Sequence, residues 1–150
     1  MLKRGDALPD YDHVVRHVPW SRLRRDENDG VIGILPQAFS LRDGEESLSV
    51  NWLEYFSGDP QSQIKEVITS IRNTKNVGGK SAFCIANVGK VRGICKAGRV
   101  NVRIVFAPND GNPSHSLIRY LSQDDLVLLE ELADEFSNDL IFNSSANLSP

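Results

Sequence analysis

Short β-branched and aromatic runs, each bounded by proline or by a turn sequence, recur along the first 120 residues of the chain. Side chains of this kind favour extended backbone, so HVVRHV at 13–18 and VIGIL at 31–35 are predicted strands. In a third run, LSVNW at 48–52, apolar and polar residues alternate, which predicts a half-buried strand with Ser49 and Asn51 on its polar face. Further strands are predicted at 81–88, 100–108 and 116–121.

Two other segments repeat apolar residues every three or four positions, which predicts amphipathic helices. The first follows Asp59 and Pro60, a capping residue and the proline favoured at the first helical position, and spans about 60–73. The second follows Ser122 and Asp125, which resemble a capping box. We expect both apolar stripes to pack on one sheet as a single core. The stripes are Ile64, Val67, Ile68 and Ile71 in the first helix and Leu126, Leu129, Leu132, Ala133 and Phe136 in the second.

These elements predict one small α+β or α/β domain over residues 1–143, followed by a flexible C-terminal tail at 144–150. We expect five to six strands in a mostly mixed sheet, packed by two or three helices. Residues 38–42 and 48–56 flank the turn DGEE and are predicted to form a hairpin. Residues 89–98 form a short helix or an irregular crossover, and the strands on either side of them are expected to pair in parallel.

Cys84 and Cys95 are the two cysteines, far fewer than a secreted disulfide scaffold uses, so we expect reduced core thiols. The N-terminus has no apolar run long enough for a signal peptide, and no stretch is long enough to cross a membrane. The sequence therefore predicts a soluble, cytoplasmic protein that does not bind membranes. No motif in it calls for a cofactor.

The charge is unevenly distributed along the chain. Residues 67–109 hold eight Lys and Arg and no Asp or Glu, although the formal net charge of the whole chain is −3. Such segregation points to a polyanion-facing surface or to an internal contact between basic and acidic regions. The first functional hypothesis is therefore an accessory domain whose basic segment binds nucleic acid or an acidic protein surface. Its candidate binding residues are Lys80, Lys90, Arg92, Lys96 and Arg99, together with Trp20, Arg22 and Arg24, where Trp20 offers a stacking surface.

The three histidines carry a second hypothesis, a small phosphodiester-acting or nucleotide-handling enzyme of the nuclease or transferase kind. His13 and His17 share one face of the predicted strand, Arg16 lies beside them, and His115 enters a later strand from a turn-forming loop. Two histidines serve as general base and acid, and arginine binds phosphate charge. The candidate catalytic residues are His13, His17, His115 and Arg16. A third hypothesis is a structural subunit of a homo-oligomer.

Other motifs are weaker. GGKS at 78–81 lacks the first glycine of a phosphate loop, since Thr74 stands there, and it follows a helix instead of preceding one, so a turn is predicted. His13 and His17 lack a third ligand on their face, so no metal site is predicted. Neither Ser114 nor Ser116 is framed by glycines, so a serine hydrolase is not predicted.

Overall fold

A computed structural model describes residues 1–143, so the predicted tail at 144–150 lies outside the described residues. The chain forms eight strands and three α-helices within that range. The helices are α1 (Pro60–Thr74), α2 (Val88–Ala97) and α3 (Leu126–Phe136). The strands are β1 (His13–Val18), β2 (Leu23–Arg25), β3 (Val31–Ile34), β4 (Ser47–Trp52), β5 (Ala82–Asn87), β6 (Arg103–Phe106), β7 (His115–Arg119) and β8 (Leu140–Phe142).

Six of these strands form one sheet in the order β6-β7-β4-β1-β5-β8, and β2 pairs with β3 in a separate hairpin. The α+β class, a main sheet of six strands and three helices are confirmed. The sheet is not mixed, because every pairing in it is antiparallel. The expected parallel pairing of β5 with β6 is wrong, since α2 carries the chain across the sheet and three strands separate the two.

The predicted hairpin between 38–42 and β4 is also wrong. Residues Pro36–Phe39 form a 3-10 helix instead, with proline at its start. Phe39, the last residue of this 3-10 helix, is fully buried and belongs to the hydrophobic core. The strand β4 takes β1 and β7 as its neighbours.

Helix α1 packs on one face of the sheet, and α2 and α3 pack on the other. The single core that we predicted is therefore divided into two cores. Alternate residues of β1 separate them: Val14 and Val18 belong to the core with α2 and α3, whereas Val15 belongs to the core with α1. We call these the α3 face and the α1 face. The stripe of α1 was predicted correctly, and its Val67, Ile68 and Ile71 are buried.

The stripe of α3 differs from its prediction at its first position. Asp125 caps the helix by accepting a hydrogen bond from the Leu128 backbone N–H at 3.1 Å, so Ser122 lies outside the helix. Leu126 is 70% exposed, and Leu128 takes its place in the core. The helix therefore starts three residues later than the capping-box pattern indicated, and Leu126 is its first residue, outside the buried stripe.

The α1 face has an apolar half and a polar half. Directly opposite residues of antiparallel strands lie on the same face, and a row of such residues crosses the sheet as His115, Asn51, Val15 and Ile85. Helix α1 packs on the half formed by β1 and β5. The half formed by β4 and β7 carries mostly polar side chains, namely Ser47, Ser49, Asn51, His115, Leu117 and Arg119.

The strands β1 and β4 diverge within the sheet. Their ladder is limited to Val14 with Trp52 and Val15 with Asn51, whereas β1 pairs with β5 along all six of its residues. A gap therefore opens between β1 and β4 at Arg16. None of the helices in residues 1–143 is both long enough and apolar enough to cross a membrane.

Candidate functional site

The polar half of the α1 face forms the floor of a cavity of about 240 Å³. The C-terminal end of α1 and the loop before β7 form its walls. We call it the histidine cavity. None of the described side chains that line it is acidic. Its polar lining residues are Arg16, His17, Ser49, Asn51, Thr74, Lys75, Asn109, Asn112 and His115.

His115 is held in a defined orientation by two hydrogen bonds. Its Nδ1 lies 2.8 Å from the carbonyl oxygen of Ala107, and its Nε2 lies 3.2 Å from the Oγ of Ser49. A carbonyl only accepts, so Nδ1 carries the proton of the neutral ring and Nε2 accepts from the Ser49 hydroxyl. The geometry therefore presents a basic nitrogen to a hydroxyl group at the floor of the cavity.

Two asparagines complete this side of the cavity. The Nδ2 of Asn51 donates to the Oδ1 of Asn112 at 2.5 Å and to the Oγ of Ser114 at 2.8 Å. All three residues are buried. The loop that supplies Asn112 is closed by its bridge to Asn109 and contains Gly111 at φ 74°, a conformation that favours glycine. Because Asn112 uses its oxygen for Asn51, its own amide N–H group is the end that can donate to a ligand.

His17 forms the wall nearest α1. It lies on the same strand face as Val15, and its ring centroid is 5.6 Å from that of Phe83. Its Nε2 is buried and has no hydrogen-bond partner among residues 1–143, so Nδ1 is the nitrogen that can meet a ligand. Burial, together with the charges of Lys75 and Arg16, lowers the pKa of His17 to about 4. His17 is therefore neutral at physiological pH.

Two cations supply the positive charge of the cavity. Lys75 ends α1, and its pKa is lowered by burial and by the neighbouring charges of Arg16 and Arg42, with Glu45 acting in the opposite direction.

Arg16 fills the gap between β1 and β4. It donates from Nε to the Ala38 carbonyl at 2.9 Å and from Nη1 to the Ser49 carbonyl at 2.6 Å. Burial lowers the pKa of Arg16 as well. In residues 1–143 neither cation forms an ion pair with a carboxylate.

The structure thus brings together three of the four predicted catalytic residues, His17, His115 and Arg16, as lining of one cavity. The fourth, His13, lies on the predicted strand face but outside the cavity. Its Nδ1 is 2.6 Å from the Glu54 carboxylate. In the described part of the chain, no group of three or more His, Cys, Asp or Glu residues is arranged to hold a metal ion.

The predicted binding residues do not form one surface. Lys90, Arg92 and Lys96 lie on α2, which belongs to the α3 face, and Arg92 forms an ion pair with Asp10 at 2.5 Å. Lys75, a cation of the same basic segment that was not among the predicted binding residues, belongs to the opposite face. Arg99 follows α2 with a φ of 65°.

The remaining predicted binding residues lie around the end of β1. Lys80 has its Nζ 5.2 Å from the ring centroid of Trp20, which Arg25 also contacts. Arg22 lines a second cavity with Arg16, and Arg24 forms an ion pair with Glu130 at 2.8 Å. These residues come from the 20–25 segment and from the turn that precedes β5.

The backbone N–H groups at the glycine-containing start of α2 are not free to bind an anion. The backbone N–H of Gly89 donates to the Asp10 carbonyl at 2.9 Å, and that of Lys90 donates to the Asn87 side chain. The first turn of the helix is therefore already satisfied by the protein, and tight packing explains Gly89, since an added Cβ would lie 2.9 Å from the Asp10 oxygen.

Sequence reasoning missed the cavity residues that carry no motif: Ser49, Asn51, Lys75 and Asn112. The alternation in β4 had placed Ser49 and Asn51 together on its polar face, and Lys75 was counted only as part of the basic segment. The sequence did not predict the strand order, in which β4 lies between β1 and β7.

Comparison of the chain with protein-family models, with curated proteins and with solved structures finds no match in any of the three.

Proposed function

We propose that this chain is a small phosphoester-acting enzyme whose histidine cavity binds a phosphate group of the substrate and whose His115 is the general base. One observation carries the proposal: His17, His115, Lys75 and Arg16 line a single cavity that has no acidic side chain among its described lining residues. Of the functions considered from the sequence, this geometry favours the phosphodiester-acting or nucleotide-handling enzyme.

The charge of the cavity favours an anionic ligand. Burial lowers the pKa of both Arg16 and Lys75, and the charge of Arg16 lowers the pKa of Lys75 further, so the charged forms are destabilised by burial and by repulsion between cations. A phosphate group between them would relieve both effects, because it supplies opposite charge and several acceptor oxygens. Anion binding is thus the ligand chemistry that offsets the electrostatic cost of this site.

The size of the cavity limits how much of the ligand it encloses. Pockets that enclose drug-sized ligands measure about 300–1,000 Å³, and the histidine cavity is smaller, at about 240 Å³. It fits a phosphate group and a short part of its ester arm, so the remainder of a longer substrate would extend over the surface.

Each lining residue has a chemical role in this proposal. The Nε2 of His115 accepts a proton, and the Ala107 carbonyl fixes the tautomer that leaves this nitrogen free to do so. His17 stays neutral and offers Nδ1 to a phosphate oxygen. Lys75 and Arg16 stabilise the charge that develops on the transferred group.

The basic segment at 67–109 contributes Lys75 to this site. Its proposed role as a separate nucleic-acid or protein interface stays a prediction, and the distribution of its cations over both sheet faces favours it less than the cavity. Any such affinity would rest on Lys and Arg contacts and would fall steeply with salt.

Hydrolysis assays test the proposal. We expect the chain to cleave bis(4-nitrophenyl) phosphate, 4-nitrophenyl phosphate or a single-stranded oligonucleotide. His115→Gln should lower turnover by about 10²- to 10⁴-fold, the contribution of a positioned acid or base. His13→Gln is the matched control, since that histidine lies outside the cavity, and it should retain turnover. An absence of hydrolysis with all three substrates, or an equal loss in the two variants, would contradict the proposal.

A further inference from the structure

We propose that Ser49 is the nucleophile of this site, forming a covalent phosphoserine intermediate. This inference rests on the proposed function and adds to it the atom that attacks the substrate. It also sets the class of reaction, which is phosphoryl transfer through the protein rather than direct attack by water.

Three groups are aligned at the floor of the cavity. The Oγ of Ser49, the imidazole of His115 and the carbonyl of Ala107 form a continuous hydrogen-bonded series, with distances of 3.2 Å and 2.8 Å. A nucleophile, a base within hydrogen-bond reach and a third group that orients the base are the parts that an activated serine requires. Here a backbone carbonyl takes the orienting role that a carboxylate has in the familiar triad.

The backbone of Ser49 is held in place by its neighbours on both sides. Ser49 lies in the middle of β4, where its register opposite Leu117 is fixed by the ladder with β7. On the other edge of the strand, its carbonyl accepts the hydrogen bond from Arg16 at 2.6 Å. The backbone of Ser49 is thus held from both sides, so its hydroxyl has a defined position in the cavity.

Positive charge is placed around the Ser49 hydroxyl. Arg16 reaches the backbone of Ser49 itself, Lys75 lines the same cavity, and the neutral His17 lies beside them. A phosphate seated among these groups would present its phosphorus to the Ser49 oxygen. The same cations would stabilise the equatorial oxygens as the bond to the leaving group breaks.

The proposed reaction has two steps. First, the Ser49 oxygen forms a bond to phosphorus while the bond from phosphorus to the ester oxygen breaks. The Ser49 proton passes to Nε2 of His115 and then to the departing ester oxygen, which leaves as an alcohol. Second, water attacks the phosphorus of the phosphoserine while His115 takes a proton from that water. The bond from phosphorus to the Ser49 oxygen breaks, the phosphate is released, and the Ser49 oxygen recovers a proton from His115. The protein is unchanged after both steps.

A fluorophosphonate probe tests the inference without relying on turnover. Attack by Ser49 would form a phosphorus–oxygen bond and release fluoride, leaving a mass increase that peptide mass spectrometry can assign to residue 49. Ser49→Ala and His115→Gln should each abolish labelling. Ser47→Ala is the matched control, because Ser47 shares the strand and the face of Ser49, and it should label at the rate of the unmodified chain.

The outcomes separate this inference from the proposed function. Labelling of residue 49 that depends on His115 supports the inference. No adduct on residue 49, or hydrolysis by Ser49→Ala at the rate of the unmodified chain, overturns it. If that variant still hydrolyses phosphoesters while His115→Gln does not, the proposed function stands with water as the nucleophile. Retention of the melting temperature by Ser49→Ala shows that any loss is chemical.

Discussion

The two halves of the α1 face show how one sheet surface serves two purposes. Under α1, Val15, Phe83 and Ile85 pack against the apolar stripe of the helix and exclude water. Beside it, β4 and β7 present Ser49, Asn51 and His115 from equivalent positions of the same pleat. The backbone is the same in both halves, so side-chain chemistry alone decides which half becomes core and which becomes a cavity.

The boundary between the halves explains the electrostatics of the site. His17 and Lys75 stand where the apolar half ends, so each is partly withdrawn from water by its apolar neighbours while facing the polar cavity. The pKa values of both residues are lowered for that reason first and by neighbouring positive charge second. A site placed at the edge of a core thus acquires neutral histidine and destabilised cations without any acidic partner in its described lining.

The apolar half should respond most strongly to truncation. Ile68 on α1 is 1% exposed, and Ile68→Ala should lower the free energy of unfolding by about 2–5 kcal/mol, because it removes buried methyl groups and leaves a cavity. Ser47→Ala on the polar half should change it by less than about 0.5 kcal/mol. Denaturant unfolding of both variants measures the contrast, and equal losses would contradict the division into halves.

The boundary between the two halves should give the next largest effect on the free energy of unfolding, and this effect depends on pH. The folded pKa of His17 is about 4, below its ordinary value of 6.5. Between these values the unfolded chain binds the proton and the folded chain does not, so stability falls as the pH drops from about 6.5 to about 4. A shift of this size sets an upper limit of about 3 kcal/mol on the contribution of His17 to stability, and solvent screening at this partly buried ring reduces the contribution below that limit.

Other groups titrate in the same range, so the His17 contribution is read as a difference between variants. The fall in stability between pH 7 and pH 4 should be smaller in His17→Gln than in the unmodified chain. His13→Gln, which alters a histidine on the same strand face but outside the cavity, should not reduce it in this way. A fall of the same size in His17→Gln and in the unmodified chain would show that His17 is not buried against the apolar half.

The sequence predicted local structure better than it predicted the site, for physical reasons. β-branched runs and the Asp59–Pro60 start are short-range signals, and they located β1, β4 and α1 correctly. The 3-10 helix at Pro36–Phe39 was missed because an apolar run that follows a proline has no distinctive period. The first turn of α3 was placed wrongly because Ser122 and Asp125 both satisfy a capping pattern.

The site depended on long-range pairing that no local pattern encodes. His115 and Ser49 are 66 residues apart and meet only because β4 lies beside β7. The polar side of β4 was visible from its alternation, but its partner strand was not. The predicted roles of His17, His115 and Arg16 stay predictions, and what the fold adds is that these residues share one cavity.

The central claim is that the histidine cavity binds an anion, and a phosphate titration followed by NMR of the imidazole nitrogens tests it most directly. Inorganic phosphate should shift the resonances of His17 and His115 with one saturating dissociation constant, while His13 should not move. Lys75→Gln should weaken that binding, whereas Lys90→Gln on α2 should leave it unchanged. Phosphate that shifts none of the histidines, or that shifts His13 as much as the other two, would contradict the account.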